Sequence, residues 1–177
     1  LIPNGIPVDR FDPSVAKQKR LLMTGRLLPR KGFAAVLEAL ADIETDFEVH
    51  IAGDGPQRNE LLRLAERSTA RVVFHGWIGR EPQKLHDLYE TSSIFCLPSM
   101  RENASVSLLE AMLAGMAVVT SNVTGCPETI GDAGVVVRPC DAAAWREPLR
   151  ELLTSEQRRR ELGAKAPARG LAHYDLD

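Results

Sequence analysis

Short apolar runs of strand length alternate with helical segments along the whole chain, and this alternation restricts the possible folds. Residues 94–97 and 117–120 are continuous apolar or β-branched runs, whereas residues 33–40 carry apolar side chains at helical spacing. Strands buried on both faces of a parallel sheet have this continuous apolar character. The pattern predicts an α/β fold, a doubly wound Rossmann-like parallel sheet of about six strands.

The same pattern gives approximate bounds for each element. The predicted strands cover residues 21–23, 47–52, 71–75, 94–97, 117–120 and 134–137. The predicted helices cover residues 33–40, a stretch after Pro56, and residues 82–89, 105–114, 141–153 and 155–163. Asp141 is the expected N-cap of its helix. Arg158, Arg159 and Arg160 are expected on a solvated helix face, with contact to anionic lipid as the alternative.

Composition excludes several classes of protein. The 177 residues suit one domain of about 150 residues with a short extension. A net charge of −2 argues against a general nucleic-acid binder. The longest apolar run, residues 111–119, is far shorter than the roughly 20 residues of a membrane-spanning helix. The chain lacks an initiator methionine, so we expect residues 1–177 to be one domain of a longer protein.

The cysteines and histidines are not arranged for metal binding. Three cysteines occur without a C-x-x-C motif, and four histidines never fall at metal-ligand spacing. We therefore expect no metal site, a reducing compartment and a cytoplasmic location. Cys96 lies within an apolar run and is expected in the core.

Ligands of doubly wound sheets bind at the carboxyl ends of the strands, so the loops that follow strands are the candidate sites. The first loop, residues 25–32, places Arg26, Arg30 and Lys31 within six residues. It lacks the spacing of a phosphate-binding P-loop, but its cations suit a diphosphate. A solvated basic loop is the alternative. Gly53 and Gly55 in the second loop form an incomplete dinucleotide fingerprint and are better interpreted as a tight turn.

The fourth loop, residues 98–105, and the helix predicted to follow it carry one carboxylate each. Glu102 precedes a helix, and Glu110 lies inside that helix among Leu109, Ala111 and other apolar residues. A carboxylate in such surroundings needs a partner. Glu110 could accept hydrogen bonds from ligand hydroxyls, or it could be a structural residue bonded to backbone or to an arginine. A glycosidase also uses two carboxylates, but its substrate has no diphosphate for the loop cations to neutralise.

Five segments of the chain, in order, resemble one enzyme family. They are "IPNGIPVDRFDP", "TGRLLPRKG", "HIAGDGPQRNEL", "VVFHGWIGREPQKLHDLYETSSIFCLPS" and "ENASVSLLEAMLAGMAVVTSNVTGCPETI". The last contains the pattern Glu-x7-Glu, with Glu102 and Glu110 at its ends. The sequence is similar to the C-terminal domain of family 4 retaining glycosyltransferases, which have the GT-B fold. The resemblance implies that residues 1–177 are the nucleotide-sugar (donor) binding half and that the N-terminal acceptor domain lies outside this chain.

The resemblance also implies roles for particular residues. Arg26 and Lys31 would hold the diphosphate and stabilise its charge as it leaves. Glu102 would accept from hydroxyls of the transferred sugar, and Glu110 from the ribose hydroxyls. The backbone of Ile78 would meet the base. The amides that would face the sugar and phosphates are those of Ala104, Ser105 and Val106.

The implied function is transfer of a hexose from a UDP- or GDP-sugar to a glycan or lipid acceptor, with retention of configuration and without a metal or other cofactor. The implied partners are the donor and the N-terminal domain, with peripheral membrane contact of the full-length protein left open. A GT-B nucleotide-sugar epimerase and a non-catalytic nucleotide-sugar binding module are the alternatives. One departure concerns the donor loop, where family members often have Phe-Gly and this chain has Ala104-Ser105.

Overall fold

A computed structural model describes residues 10–79, 81–102 and 105–174. Its centre is a six-stranded, fully parallel sheet with the order β3-β2-β1-β4-β5-β6. The strands are β1 (Gln18–Thr24), β2 (Glu48–Ala52), β3 (Arg71–Gly76), β4 (Ser92–Leu97), β5 (Ala117–Ser121) and β6 (Gly134–Val137). The predicted doubly wound α/β sheet is therefore confirmed.

Helices cover both faces of the sheet. They are α1 (Phe33–Leu40), α2 (Arg58–Ala65), α3 (Pro82–Thr91), α4 (Val106–Leu113), α5 (Cys126–Ile130), α6 (Ala142–Thr154) and α7 (Glu156–Tyr174). One core contains apolar residues of α1 and α6, and a second core on the other face contains those of α3 and α4. Cys96 is buried in the first core, as expected.

The last helix differs from its prediction. The sequence placed its end at Gly163, but α7 continues to Tyr174. The glycine is used for packing, because a Cβ at Gly163 would lie 2.5 Å from the carbonyl oxygen of Gly115. The expected solvated face is only partly found. Arg160 is exposed, whereas Arg159 is half-buried and donates from Nη1 to the carbonyl of Leu152 at 2.5 Å.

Two histidines of neighbouring strands are in contact on the α3 face. His50 Nδ1 lies 2.9 Å from His75 Nε2, and His50 Nε2 lies 3.1 Å from Glu48 Oε2. A carboxylate only accepts, so Nε2 of His50 donates to Glu48. When both rings are neutral, Nδ1 of His50 then accepts from Nε2 of His75. Burial lowers the pKa of both histidines, and for His50 the bond to Glu48 partly opposes this.

The loops that follow β1, β2 and β4 are joined into one edge by backbone contacts. Gly25 donates to the carbonyl of Ala52 at 3.0 Å, and Leu27 donates to that of Asp54 at 2.9 Å. On the other side, Met100 donates to the carbonyl of Arg30 at 2.8 Å. These bonds fix the positions of the candidate loops relative to each other.

Gly32 should be among the positions least tolerant of a side chain. Its φ is +69°, and an added Cβ would lie 2.1 Å from the carbonyl oxygen of Pro98. Gly76 is a matched control, because its φ is +67° and an added Cβ would have nothing within 4 Å. We expect Gly76→Ala to cost about 1 kcal/mol through its backbone conformation. Gly32→Ala should cost roughly 1–3 kcal/mol more through the clash. Urea denaturation measures both, and equal losses would contradict the close approach of the two loops.

The histidine contact predicts loss of stability in acid. Because the folded state lowers both pKa values, the unfolded chain binds more protons as the pH falls below about 6.5. The two histidines therefore contribute fully to the free energy of unfolding above that pH. This contribution is lost as the pH falls through their folded-state pKa values. The variant His75→Gln, which keeps a donor for His50, should show a smaller fall in melting temperature between pH 7.5 and 5.5 than the parent. The same fall in both proteins would count against this contribution.

Candidate functional site

The strand order creates a crevice between β1 and β4. These neighbouring strands lead to helices on opposite faces, since α1 packs in the first core and α4 in the second. Parallel sheets bind ligands at such a switch point, where the two loops diverge. The first loop carries Arg26 and Lys31, and the fourth carries Glu102.

Lys31 and Glu102 form an ion pair at this crevice. The Lys31 ammonium contacts Glu102 Oε1, and the two side chains are only 18% and 13% exposed. The hydroxyl of Ser99, which is fully buried, donates to the same carboxylate oxygen at 2.6 Å. Two charged groups from loops on either side of the switch point are thus held together with little access to water. Without a ligand, each compensates the other.

Glu110 lies deeper, on α4, and is 7% exposed. Its Oε1 is 2.7 Å from Nη1 of Arg10, in the segment that precedes β1. The Tyr89 side chain on α3 also interacts with this carboxylate. Burial raises the pKa of Glu110, while Arg10 and then Tyr89 act in the opposite direction. Of the two interpretations left open by the sequence, the structure contains the arginine partner, and the carboxylate remains able to accept further bonds.

Both carboxylates are connected to the carboxyl end of β1. Thr24 Oγ1 lies 3.1 Å from the Tyr89 hydroxyl oxygen, so a chain of side chains runs from Thr24 through Tyr89 to Glu110. The next residue, Gly25, lies beside the Lys31 side chain, since an added Cβ would be 4.0 Å from Lys31 Cε. Lys31 in turn is paired with Glu102. Of the four side chains predicted to bind the donor, Lys31, Glu102 and Glu110 therefore lie near the carboxyl end of β1. The fourth is Arg26.

Arg26 is placed differently. It follows β1 at the same edge but is exposed, and its guanidinium has no hydrogen bond or ion pair with any residue of the described ranges. The structure thus leaves this cation available, but shows no contact between it and the other three residues.

The remaining predicted residues lie on two other segments. Ile78 is buried after β3, and its carbonyl accepts from the amide of Glu81 at 2.9 Å. Ser105 is the N-cap of α4, where its hydroxyl accepts from the amide of Leu108 at 3.4 Å. Val106, the first residue of α4, is exposed. Ala104 lies outside the described residues.

Sequence reasoning missed two features near these residues. Trp77, beside Ile78, is 67% exposed, and an aromatic residue directly after a strand was a signal that could have been used. Arg10 was missed because its partner is far away in sequence, and no local pattern marks such a pair.

A large groove of the described residues lies away from this crevice. A groove of about 880 Å³ lies between the residues around the start of β1 and α7, with Lys17, Ser93, Gly163 and Leu171 among its lining. It is at the amino ends of β1 and β4, opposite the switch point, and contains none of the predicted site residues. We place the candidate site at the charged crevice, because that edge holds the loops, cations and carboxylates.

The described part of the chain offers neither a cluster of metal ligands nor a membrane-spanning helix. No set of three His, Cys, Asp or Glu side chains there could hold a metal ion. No helix there has the length and apolar character required to cross a membrane.

Comparison with known proteins identifies the family of the chain. The profile of a family described as "Glycosyl transferases group 1" matches residues 7–169. The chain belongs to the glycosyl transferases group 1 family.

Curated members of this family are moderately similar to the chain. It is 36% identical over 167 residues to O-antigen chain mannosyltransferase B of Escherichia coli, covering 89% of this chain and 42% of that protein. It is 30% identical over 201 residues to a GDP-mannose-dependent phosphatidylinositol monomannoside mannosyltransferase of Corynebacterium glutamicum, covering 99% and 51%. The chain thus spans about half the length of these group 1 relatives.

Solved structures share the fold. Anabaena HepE in complex with UDP has a TM-score of 0.84 at 22% identity, with 98% of this chain and 53% of that chain covered. At this identity the match shows a common GT-B architecture and no more. The resemblance to GT-B glycosyltransferases inferred from the sequence is confirmed by the family match and the fold.

Proposed function

We propose that this chain is the donor-binding domain of a retaining glycosyltransferase that transfers a hexose from a UDP- or GDP-sugar to a glycan or lipid acceptor. The observation that carries the proposal is the shielded pair of Lys31 and Glu102 at the switch point. One member of this pair suits a diphosphate and the other suits sugar hydroxyls. A ligand that offers both groups can replace each partner with a new one.

Binding would exchange one ion pair for two ligand contacts. Lys31 would turn from Glu102 to the diphosphate. The guanidinium of Arg26, which has no partner among the described residues, would bind the same diphosphate. Glu102 would then accept from hydroxyls of the hexose. During transfer, the bond between the anomeric carbon and the diphosphate breaks, and the diphosphate leaves with the electron pair. The oxygen of an acceptor hydroxyl bonds to the anomeric carbon on the same face, and its proton passes to the departing diphosphate. The cations stabilise the charge that develops on this leaving group.

The start of α4 would supply backbone donors to the same ligand. No backbone acceptor within the described ranges takes the amides of Ser105 and Val106. Helix starts favour anions through such amides and through the helix dipole. Ser105, at a position where the family often has glycine, still leaves these donors available because its hydroxyl caps Leu108 instead.

The nucleoside would extend away from this point. Glu110 would accept from the ribose hydroxyls, and the backbone at Ile78, two strands away from β1, would meet the base. Support for a nucleotide donor comes from relatives, since one curated relative is named as GDP-mannose-dependent and a protein of the same fold has been solved with UDP. The acceptor domain would be supplied by the rest of a longer protein.

Thermal denaturation with nucleotides tests the proposal. We expect one of UDP, GDP, ADP or dTDP, or its sugar conjugate, to raise the melting temperature. With a Kd near 0.1 mM, about 10 mM ligand would add roughly 2.7 kcal/mol and raise the midpoint by about 5–10 °C. If no nucleotide or nucleotide sugar shifts the midpoint, the proposed function is wrong.

The role of Lys31 has its own test. Lys31→Met should weaken binding of the preferred nucleotide at least about tenfold, because a charge-assisted contact to the diphosphate is lost. Lys84→Met is the control, since Lys84 is an exposed residue of α3 paired with Glu81 at 3.5 Å, and it should leave the affinity unchanged. Isothermal titration calorimetry measures both.

A double variant separates the loss of a contact to the diphosphate from repulsion by an unpaired Glu102. Lys31→Met alone leaves the Glu102 carboxylate unpaired, and its repulsion could weaken anion binding. The double variant Lys31→Met/Glu102→Gln removes both charges. If this variant regains the parental affinity, Lys31 does not bind the diphosphate.

A further inference from the structure

Arg10 is held in place by the protein and is not a freely moving surface side chain. Its carbonyl accepts from Nε2 of His86 on α3 at 2.8 Å. The next residue, Phe11, is buried and stacks on the His86 ring with centroids 5.1 Å apart. The guanidinium lies 5.4 Å from the centroid of the Phe11 ring. These contacts place the guanidinium beside α3 before any ligand arrives.

Arg10 is also the partner of Glu110 that reaches solvent. Its side chain is 41% exposed, whereas the other partner, Tyr89, is fully enclosed. The Tyr89 hydroxyl interacts with Glu110 and lies 3.1 Å from Thr24 Oγ1. The carboxylate is thus fixed from the inside by a neutral donor and from the outside by a cation.

The charge state of Glu110 decides what it can bind. An ionised carboxylate offers only acceptors, whereas the protonated acid has a donor of its own and no charge. Ribose hydroxyls donate best to the ionised form, since charge-assisted hydrogen bonds are the stronger ones. Burial alone raises the pKa of Glu110 and favours the acid, and the Arg10 guanidinium is the largest influence in the opposite direction.

We propose that Arg10 is a positioning residue for the nucleotide, which acts from the segment before β1 by holding the Glu110 carboxylate ionised and oriented for the ribose hydroxyls. The inference rests on the proposed function, because it assumes that Glu110 meets the ribose. It adds a residue that lies outside the Glu-x7-Glu pattern and outside the loops that follow strands.

The test compares Arg10→Met with two related variants. Methionine keeps an apolar stem beside Phe11 but removes the charge, and Arg10→Lys keeps the charge. Arg150→Met removes an arginine of similar geometry, whose Nη1 lies 2.8 Å from Glu147, from an exposed pair on α6. The ligands are the nucleoside diphosphate selected by thermal denaturation and inorganic pyrophosphate, which has no ribose.

We expect Arg10→Met to lose binding affinity by an amount that depends on the pH and on the ligand. Arg10→Met should weaken nucleoside diphosphate binding about two- to threefold at pH 8 and about tenfold at pH 6, because each unit of pKa changes the ionised fraction up to tenfold. Arg10→Lys should recover most of the affinity. Pyrophosphate affinity should be the same in all variants, and Arg150→Met should match the parent with both ligands.

Other titratable groups near Arg10 must be separated from Glu110. Tyr89 faces Glu110, but burial raises its pKa far above this range. His86 contacts the Arg10 backbone and faces Asp87 and Glu90 at 3.7 Å. His86→Gln, made in the parent and in Arg10→Met, should leave the pH dependence of the latter in place. If the dependence disappears with His86, the assignment to Glu110 is wrong.

The outcomes distinguish the two proposals. If the parent binds no nucleotide, the proposed function fails, and this inference fails with it. If the parent binds nucleotide and Arg10→Met binds it equally at every pH, the positioning role alone is wrong. An equal loss for pyrophosphate and nucleotide would show that Arg10 supports the fold of the site, and would also overturn the inference.

Discussion

The parallel pairing of β1 with β4 is the constraint on which the site depends. These strands are separated in sequence by two complete helix–strand units, and their adjacency sends the following loops to opposite faces. Only this arrangement brings Lys31 into contact with Glu102. Backbone bonds such as that from Met100 to Arg30 then fix one loop against the other, so the charged pair is supported by the main chain as well as by its own attraction.

The two carboxylates differ in depth and in the elements that hold them. Glu102 belongs to a loop and shares its charge with a lysine that can turn away. Glu110 belongs to a helix and is held by Tyr89 from within the core. A buried carboxylate without partners would take up a proton, so the position of Glu110 requires a donor and a cation nearby. Tyr89 and Arg10 meet that requirement from two separate elements of the fold.

Local patterns in the sequence were sufficient to predict the sheet and most helices. Continuous apolar runs marked strands such as β4 and β5, and Asp141 capped α6 as expected, with its Oδ1 3.1 Å from the amide of Ala144. The predicted end of α7 at Gly163 was wrong, because a glycine normally marks the end of a helix. Here Gly163 permits close contact with Gly115, and tertiary packing outweighs the local preference.

For the candidate site, the sequence indicated individual residues but not the long-range contacts between them. Glu102 and Glu110 are marked by their spacing along one loop and helix, which is a local property. The pairing of Glu110 with Arg10 joins residues 100 positions apart and depends on the path of the segment before β1 across α3. No periodicity or motif encodes such a path, because it follows from the packing of Phe11 against α3 side chains.

The pairing of Lys31 with Glu102 leads us to expect that the site discriminates among anions. A bare anion that approaches Lys31 must compete with Glu102 and leaves that carboxylate shielded from water without a partner, which is costly. A diphosphate attached to a sugar supplies an anion for the lysine and hydroxyls for the carboxylate together. The same logic applies at Glu110, where a ribose offers donors that an inorganic anion lacks. If the proposed function holds, we expect this charge compensation to weaken binding of simple phosphates more than binding of a ligand with both kinds of group.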